Sequence, residues 1–377
     1  EKDDIDSIRN TIEAVYNFIL PMSKWLYRIP NEELHNRYLE YIEIIFMLLG
    51  PKSPNFMQYS SQVLINVFKP KRIKVYETNQ IEWFPSFFEK ASNIVEKVVT
   101  EIIPNYPSQH YSLLFFAITN LCMFLLNAKN ELAHQFFSEV VMGIYHTNSS
   151  FNEYNLLILF SEMLDNDFIS PSEVQTINET IDNILSEEKS YIDNLLLVFE
   201  IITKMSKIDN DLTEKYFQLA FNIFTGTEDS PAPKQKSALA LFLMNALNQD
   251  PEKYGAVIGI LPAIFSLLSS PTENKVLKLY LIELIELFGN KSNLFPPEAF
   301  EALIKGLLFI FAFQMNAAKI FELDDVIFEN LVGILKGLLN DYCQSFPNTT
   351  YQDVISEFLP DFPSSIEYIL SLLQSDE

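Results

Sequence analysis

Two interleaved series of helix-start signals run along this chain at a spacing of about forty residues, and that spacing limits the fold more than any other feature. Apolar residues recur at i, i+3, i+4 and i+7, as in Ile5, Ile8, Ile12, Val15 and Ile19, and again in Val174, Ile177, Ile181, Ile184 and Leu185. Proline-bearing breaks separate these stretches. Pro51, Pro54, Pro104, Pro107, Ser170-Pro171, Asp229-Ser230-Pro231, Asp250-Pro251, Ser270-Pro271 and Pro296-Pro297 read as caps followed by proline in a first helical turn. One series of starts falls near residues 85, 130, 171, 211, 252 and 297, and the other near 108, 151, 190, 233, 274 and 324. A single hairpin of this length cannot bury its apolar face alone, so a fixed period predicts stacked helix pairs. No run of alternating residues demands a sheet. The expected class is all-α, with about 16 helices.

One period is distinct enough to compare with a known repeat. Residues 252–290, EKYGAVIGILPAIFSLLSSPTENKVLKLYLIELIELFGN, resemble a HEAT repeat: a first helix carrying Pro262, a turn at Ser269–Asn274, and a second helix closing on Leu287-Phe288-Gly289. Here Pro262 is expected to kink the body of the first helix. Gly289 is expected to take a left-handed cap, and Leu281 and Leu284 should lie in the core. The period covers residues 85–343, with 1–84 and 344–377 as end repeats. Residues 1–377 then read as one right-handed α-solenoid of HEAT/armadillo-like antiparallel helix pairs, cut from a longer protein.

Composition narrows the function classes. The chain has 50 acidic against 26 basic residues, and residues 101–377 carry nearly all of the excess. All four arginines (Arg9, Arg28, Arg37 and Arg72) precede residue 73. A long acidic stretch without arginine lacks the side chain best suited to phosphate and base-edge contacts, so direct nucleic-acid binding is not expected. Nine glycines argue against a Gly-rich cofactor fold, and two cysteines cannot build a disulfide framework. The apolar runs around Leu113–Leu126, Gly255–Leu268 and Gly306–Phe313 are shorter than the roughly 18–20 residues a membrane span needs.

No catalytic or metal constellation stands out, and no enzyme activity, cofactor or metal is expected. Asp324, Asp325 and Glu329 look at first like a magnesium-diphosphate motif, but no second acidic motif follows, and an acidic helix start explains them. His35, His110, His134 and His146 share no metal-binding spacing with each other or with a cysteine. Cys122 reads as a small core residue, and Cys343 lies near a helix end. Lys69, Lys71, Arg72 and Lys74 form the one basic cluster: a nuclear-localisation-like patch, a contact for an acidic partner, or a solvated loop.

The second helices of the pairs carry acids on their polar stripes: Glu153 and Glu162, Asp193 and Glu200, Glu283 and Glu286, Asp324 and Glu329. Repeated on successive helices, these would make a continuous negative surface that attracts a basic protein. An acidic, cysteine-poor chain of this kind resembles the importin-β (karyopherin) class of transport receptors. That resemblance implies basic cargo on the inner face, the small GTPase Ran elsewhere, nucleoporin contacts outside, and residence in cytoplasm and/or nucleus. A static HEAT scaffold of a phosphatase, chromosome-organising or vesicle-coat complex is the other reading.

Overall fold

The computed structural model describes residues 31–374 apart from 53, 69–72, 76–77, 80, 108–109, 148–152, 167, 187–189, 227–232, 271–273 and 317–324. Every regular element among the described residues is helical. α-Helices begin within three residues of eleven of the twelve starts read from the sequence, and a 3-10 segment begins at Gly255 near the twelfth. The chain divides into two compact units, Glu1–Ile184 and Leu185–Glu377.

The first unit holds α1 (Glu32–Ile44), α2 (Pro54–Val67), α3 (Phe84–Lys97), α4 (Tyr111–Asn127), α5 (Leu132–Gln135), α6 (Met142–Thr147), α7 (Glu153–Leu164) and α8, which starts at Pro171. Its helices pack on others beyond their immediate sequence neighbours: α2 on α4, α4 on α7, and α1 on α3. α4 is almost wholly apolar, and all residues from Ala117 to Leu126 are buried. Wider π-turns follow α1, α3 and α5, at Ile45–Leu49, Val98–Ile102 and Phe136–Val141. None has a proline inside the turn, though Pro51 and Pro104 stand in the 3-10 turns that directly follow the first two.

The second unit, which takes the end of α8 (Pro171–Ser186), continues with α9 (Ser190–Met205), α10 (Asp211–Thr225), α11 (Pro233–Gln249), α12 (Leu261–Ser269), α13 (Lys275–Asn290), α14 (Pro297–Asn316) and α15 (Asp325–Ser345). The short α16 (Tyr351–Phe358) and α17 (Pro363–Gln374) end it. One layer runs α9, α11, α13, α15, each packed on the next; in the other, α12 packs on α14 and α14 on α17. Leu281 and Leu284 of α13 are fully buried, as expected from the spacing.

Two local expectations for residues 252–290 are corrected. Gly255–Ile260 is a tight 3-10 turn and α12 starts only at Leu261, so Pro262 stands in a first turn rather than in a helix body. That is where its missing N–H costs nothing. Gly289 is not a left-handed cap, since no described glycine has a positive φ. It is a buried residue of the last turn of α13, and a Cβ there would stand 3.0 Å from Leu338 Cδ2. The residue lets α13 and α15 approach closely. Asn274 caps α13 by accepting from Val276 N at 2.8 Å. The buried Lys278 donates to Ser270 O at 2.6 Å, beyond the C-terminal end of α12 where a cation is favoured.

Candidate functional surfaces

The acids read from the sequence differ in exposure. Glu153 and Glu200 are half-buried on α7 and α9, whereas Glu162, Glu283, Glu286 and Glu329 are exposed. The side chain of Asp193, together with Asp324, Lys69, Lys71 and Arg72, lies outside the described residues. Lys74 is exposed, and its carbonyl accepts from Thr78 Oγ1 at 2.6 Å.

The expected continuity fails at α11. That helix packs between α9 and α13, and its sequence, PKQKSALALFLMNALNQ, has no carboxylate. In the second unit, therefore, Glu200 on α9 is separated from the acids of α13 and α15 by a neutral-to-basic helix. What remains together is a patch on α13 and α15. Glu286 and Asp341 flank a shallow groove of about 180 Å³ whose lining includes Gly289, Gly333 and Gly337. Nothing lies within 4 Å of where a Cβ would stand on Gly333 or Gly337, so these two glycines open the surface between the helices. Sequence reasoning missed Asp341. Its signal was the i, i+4, i+8 row Gly333, Gly337, Asp341, a stripe too small and polar to be core.

A second concavity was not foreseen at all. On α12, α14 and α16, Phe265, Phe309, Ile310, Phe313 and Phe358 line a groove of about 600 Å³. Phe309 is 50% and Phe313 44% exposed, a large apolar area for helix positions with a regular core stripe. The groove takes its shape from Gly306. A Cβ at that position would stand 2.0–2.4 Å from the ring of Phe265, so the Phe265 side chain lies directly against the α14 backbone.

Glu173 and His134, outside these surfaces, have structural work. Glu173 is buried and accepts from His134 Nδ1 at 2.8 Å, from Ser170 N at 2.7 Å and from Ser170 Oγ at 2.9 Å. Three donors thus satisfy a carboxylate that would otherwise be costly to bury. His134 also stacks near Phe168, with ring centroids 4.6 Å apart. Burial pushes the Cys122 thiol well up, and the nearby Glu173 charge adds to that. Cys343 is pushed up by burial and by Asp353. Both shifts disfavour the thiolate, the reactive form. No group of His, Cys, Asp or Glu among the described residues could hold a metal ion. No helix among them is long and apolar enough to cross a membrane.

No family model, curated protein or solved structure matches the chain.

Proposed function

We propose that the chain is a HEAT-type α-solenoid acting as a non-enzymatic protein-binding receptor, which takes a basic protein partner on the acidic patch of α13 and α15. The stacking part of this reading is supported by side-chain contacts that recur at about one repeat length. His134 meets Glu173, Asn166 meets Asn127 and Lys253 meets Glu214, each across 39 residues. Thr213 meets Gln249 across 36 and Gln249 meets Ser206 O across 43. Contacts of this kind are what nearest-neighbour stacking of equal units produces. They lie within each of the two compact units.

The binding part is carried by one observation: Glu283, Glu286, Glu329 and Asp341 are exposed on two adjacent helices, and Glu286 and Asp341 flank an open groove between them. Exposed acids steer a basic partner and give rim contacts. The importin-β resemblance makes Ran and nucleoporins the further partners of this proposal, with residence in cytoplasm and/or nucleus. The carboxylate-free α11 favours the alternative, a static scaffold, because it restricts the negative surface to a patch. Capture of partners on the immobilised chain, eluted separately with salt and with Ran-GTP, distinguishes them. A basic set released by Ran-GTP supports the transport receptor. A fixed set indifferent to Ran-GTP supports the scaffold, and predominantly acidic partners contradict the receptor.

A further inference from the structure

The groove on α12, α14 and α16 differs in charge from the rest of this acidic chain. Among the described residues that line it there is no carboxylate, and Lys305 is its one charge. The Lys305 stem crosses the groove wall with Nζ 4.5 Å above the Phe358 ring. The same nitrogen stands 3.6 Å from Glu301 Oε2, too far for a hydrogen bond, and its side chain is 50% exposed. Phe309 lies one helical turn further along α14, half-exposed and edge-on to Phe362 at 5.6 Å between ring centroids, so the open side of an aromatic ring and an exposed ammonium share one face. A basic segment would meet the Lys305 ammonium in the lining, with only Glu301 outside the lining to receive it. A segment with an apolar side chain beside a carboxylate would find both, the anchor against Phe265 and Phe309 and the carboxylate on Lys305.

The geometry points to this groove as the docking site of an acidic peptide segment in which one apolar anchor stands next to an aspartate or glutamate. The site uses other helices than the acidic patch and a partner of opposite charge, so it goes beyond the basic-partner reading and neither depends on the other. Glu301 competes for the same ammonium, which keeps the charge contribution small.

The test is fluorescence anisotropy of the full chain with short labelled peptides. Each carries one leucine or phenylalanine followed by aspartate, serine or lysine. The aspartate peptide should bind about threefold to fivefold more tightly than the serine peptide, as expected for an exposed pair, and the lysine peptide most weakly. Glu301→Gln should widen that preference, and Lys305→Glu should invert it. Phe309→Ser should weaken every peptide by about tenfold or more, the scale of one buried aromatic anchor. Phe309 is half-exposed and edge-on to Phe362, so each variant's melting curve is recorded first and the peptides are compared at a temperature where every variant is folded. Equal binding of the three peptides, an order unchanged by Lys305→Glu, indifference to Phe309→Ser, or no binding by any peptide would each overturn the proposal.

Discussion

The two compact units interrupt and tie their helices differently. In residues 31–184 the interruptions are three π-turns, the first two running into 3-10 turns that carry Pro51 and Pro104; among the described residues of the second unit there is no π-turn, and a 3-10 turn runs into Pro262. In the first unit the strongest tie one repeat apart is buried: Glu173, held by His134 and the Ser170 backbone and hydroxyl. In the second the charged tie is at the surface, Lys253 to Glu214 at 2.6 Å, and a part-buried chain of Thr213, Gln249 and Ser206 O lies beside it. Close approach in the second unit comes from glycines, Gly306 under Phe265 and Gly289 under Leu338. A buried, fully bonded carboxylate fixes how neighbouring pairs register, because any slip strands a charge. A glycine contact fixes only their distance, and leaves the outer side chains of the same helices available for a partner.

Core substitutions should be the most damaging and should not distinguish the units. Leu157→Ala in the first and Leu284→Ala in the second each remove a fully buried side chain, and each should cost about 2–5 kcal/mol in denaturant unfolding. A large loss in one and none in the other would mean that one helix face is misassigned. Glycine substitutions come next and separate positions within the second unit. Gly306→Ala places a methyl group into the Phe265 ring and should cost about 1–3 kcal/mol, by overpacking. Gly333→Ala meets nothing and should stabilise the chain by about 0.4–1 kcal/mol through helix propensity. Equal effects would dissolve the distinction between a packed and an open glycine.

The ties sharpen the comparison directly. Glu173→Ala leaves His134 and the Ser170 N–H without their acceptor and should cost about 1–3 kcal/mol. Lys253→Met should leave the melting temperature within error, since the pair it breaks is exposed to solvent on both sides. A larger loss from Lys253→Met than from Glu173→Ala would reverse the account. The smallest expected effect is at α16. Hydrogen bonds from the Thr350 hydroxyl and backbone hold the Asp353 carboxyl below its ordinary 3.8. A folded value below the unfolded one means the contribution is present above about pH 4 and fades as the pH falls through the folded value. Titration of the Asp353 carboxyl by NMR in the parent and in Thr350→Val should show the value rise in the variant.

Helix positions were legible because caps and prolines mark them locally: Asn274, Ser170-Pro171 and Pro297 each stand at a helix start. Core positions such as Leu281 followed from period alone. The π-turns were invisible, because nothing in IFMLL or VVTEI departs from an ordinary helical pattern. Pro262 was misplaced because a proline signals a break in i→i−4 bonding without saying on which side the α-helix lies. The aromatic groove was missed for a related reason: Phe309 and Phe313 have helical spacing with buried neighbours, and periodicity does not reveal which rings stay partly exposed. The acids were read helix by helix. Their grouping depended on which helices are neighbours, and α11 between α9 and α13 is a fact of packing.

The central functional claim is that the carboxylates of α13 and α15 steer a basic protein. Association rates for a basic cargo-like protein, measured with the parent and with the Glu283→Lys, Glu286→Lys double variant at low and moderate salt, test it most directly. Exposed charges are screened beyond about 8–10 Å at 0.1–0.15 M ionic strength. The parent should therefore associate faster at low salt, and the variant should lose most of that advantage with a smaller change in dissociation. Equal association rates for the two proteins, or a partner that proves acidic and docks at Lys69–Lys74, would contradict the receptor and leave the scaffold.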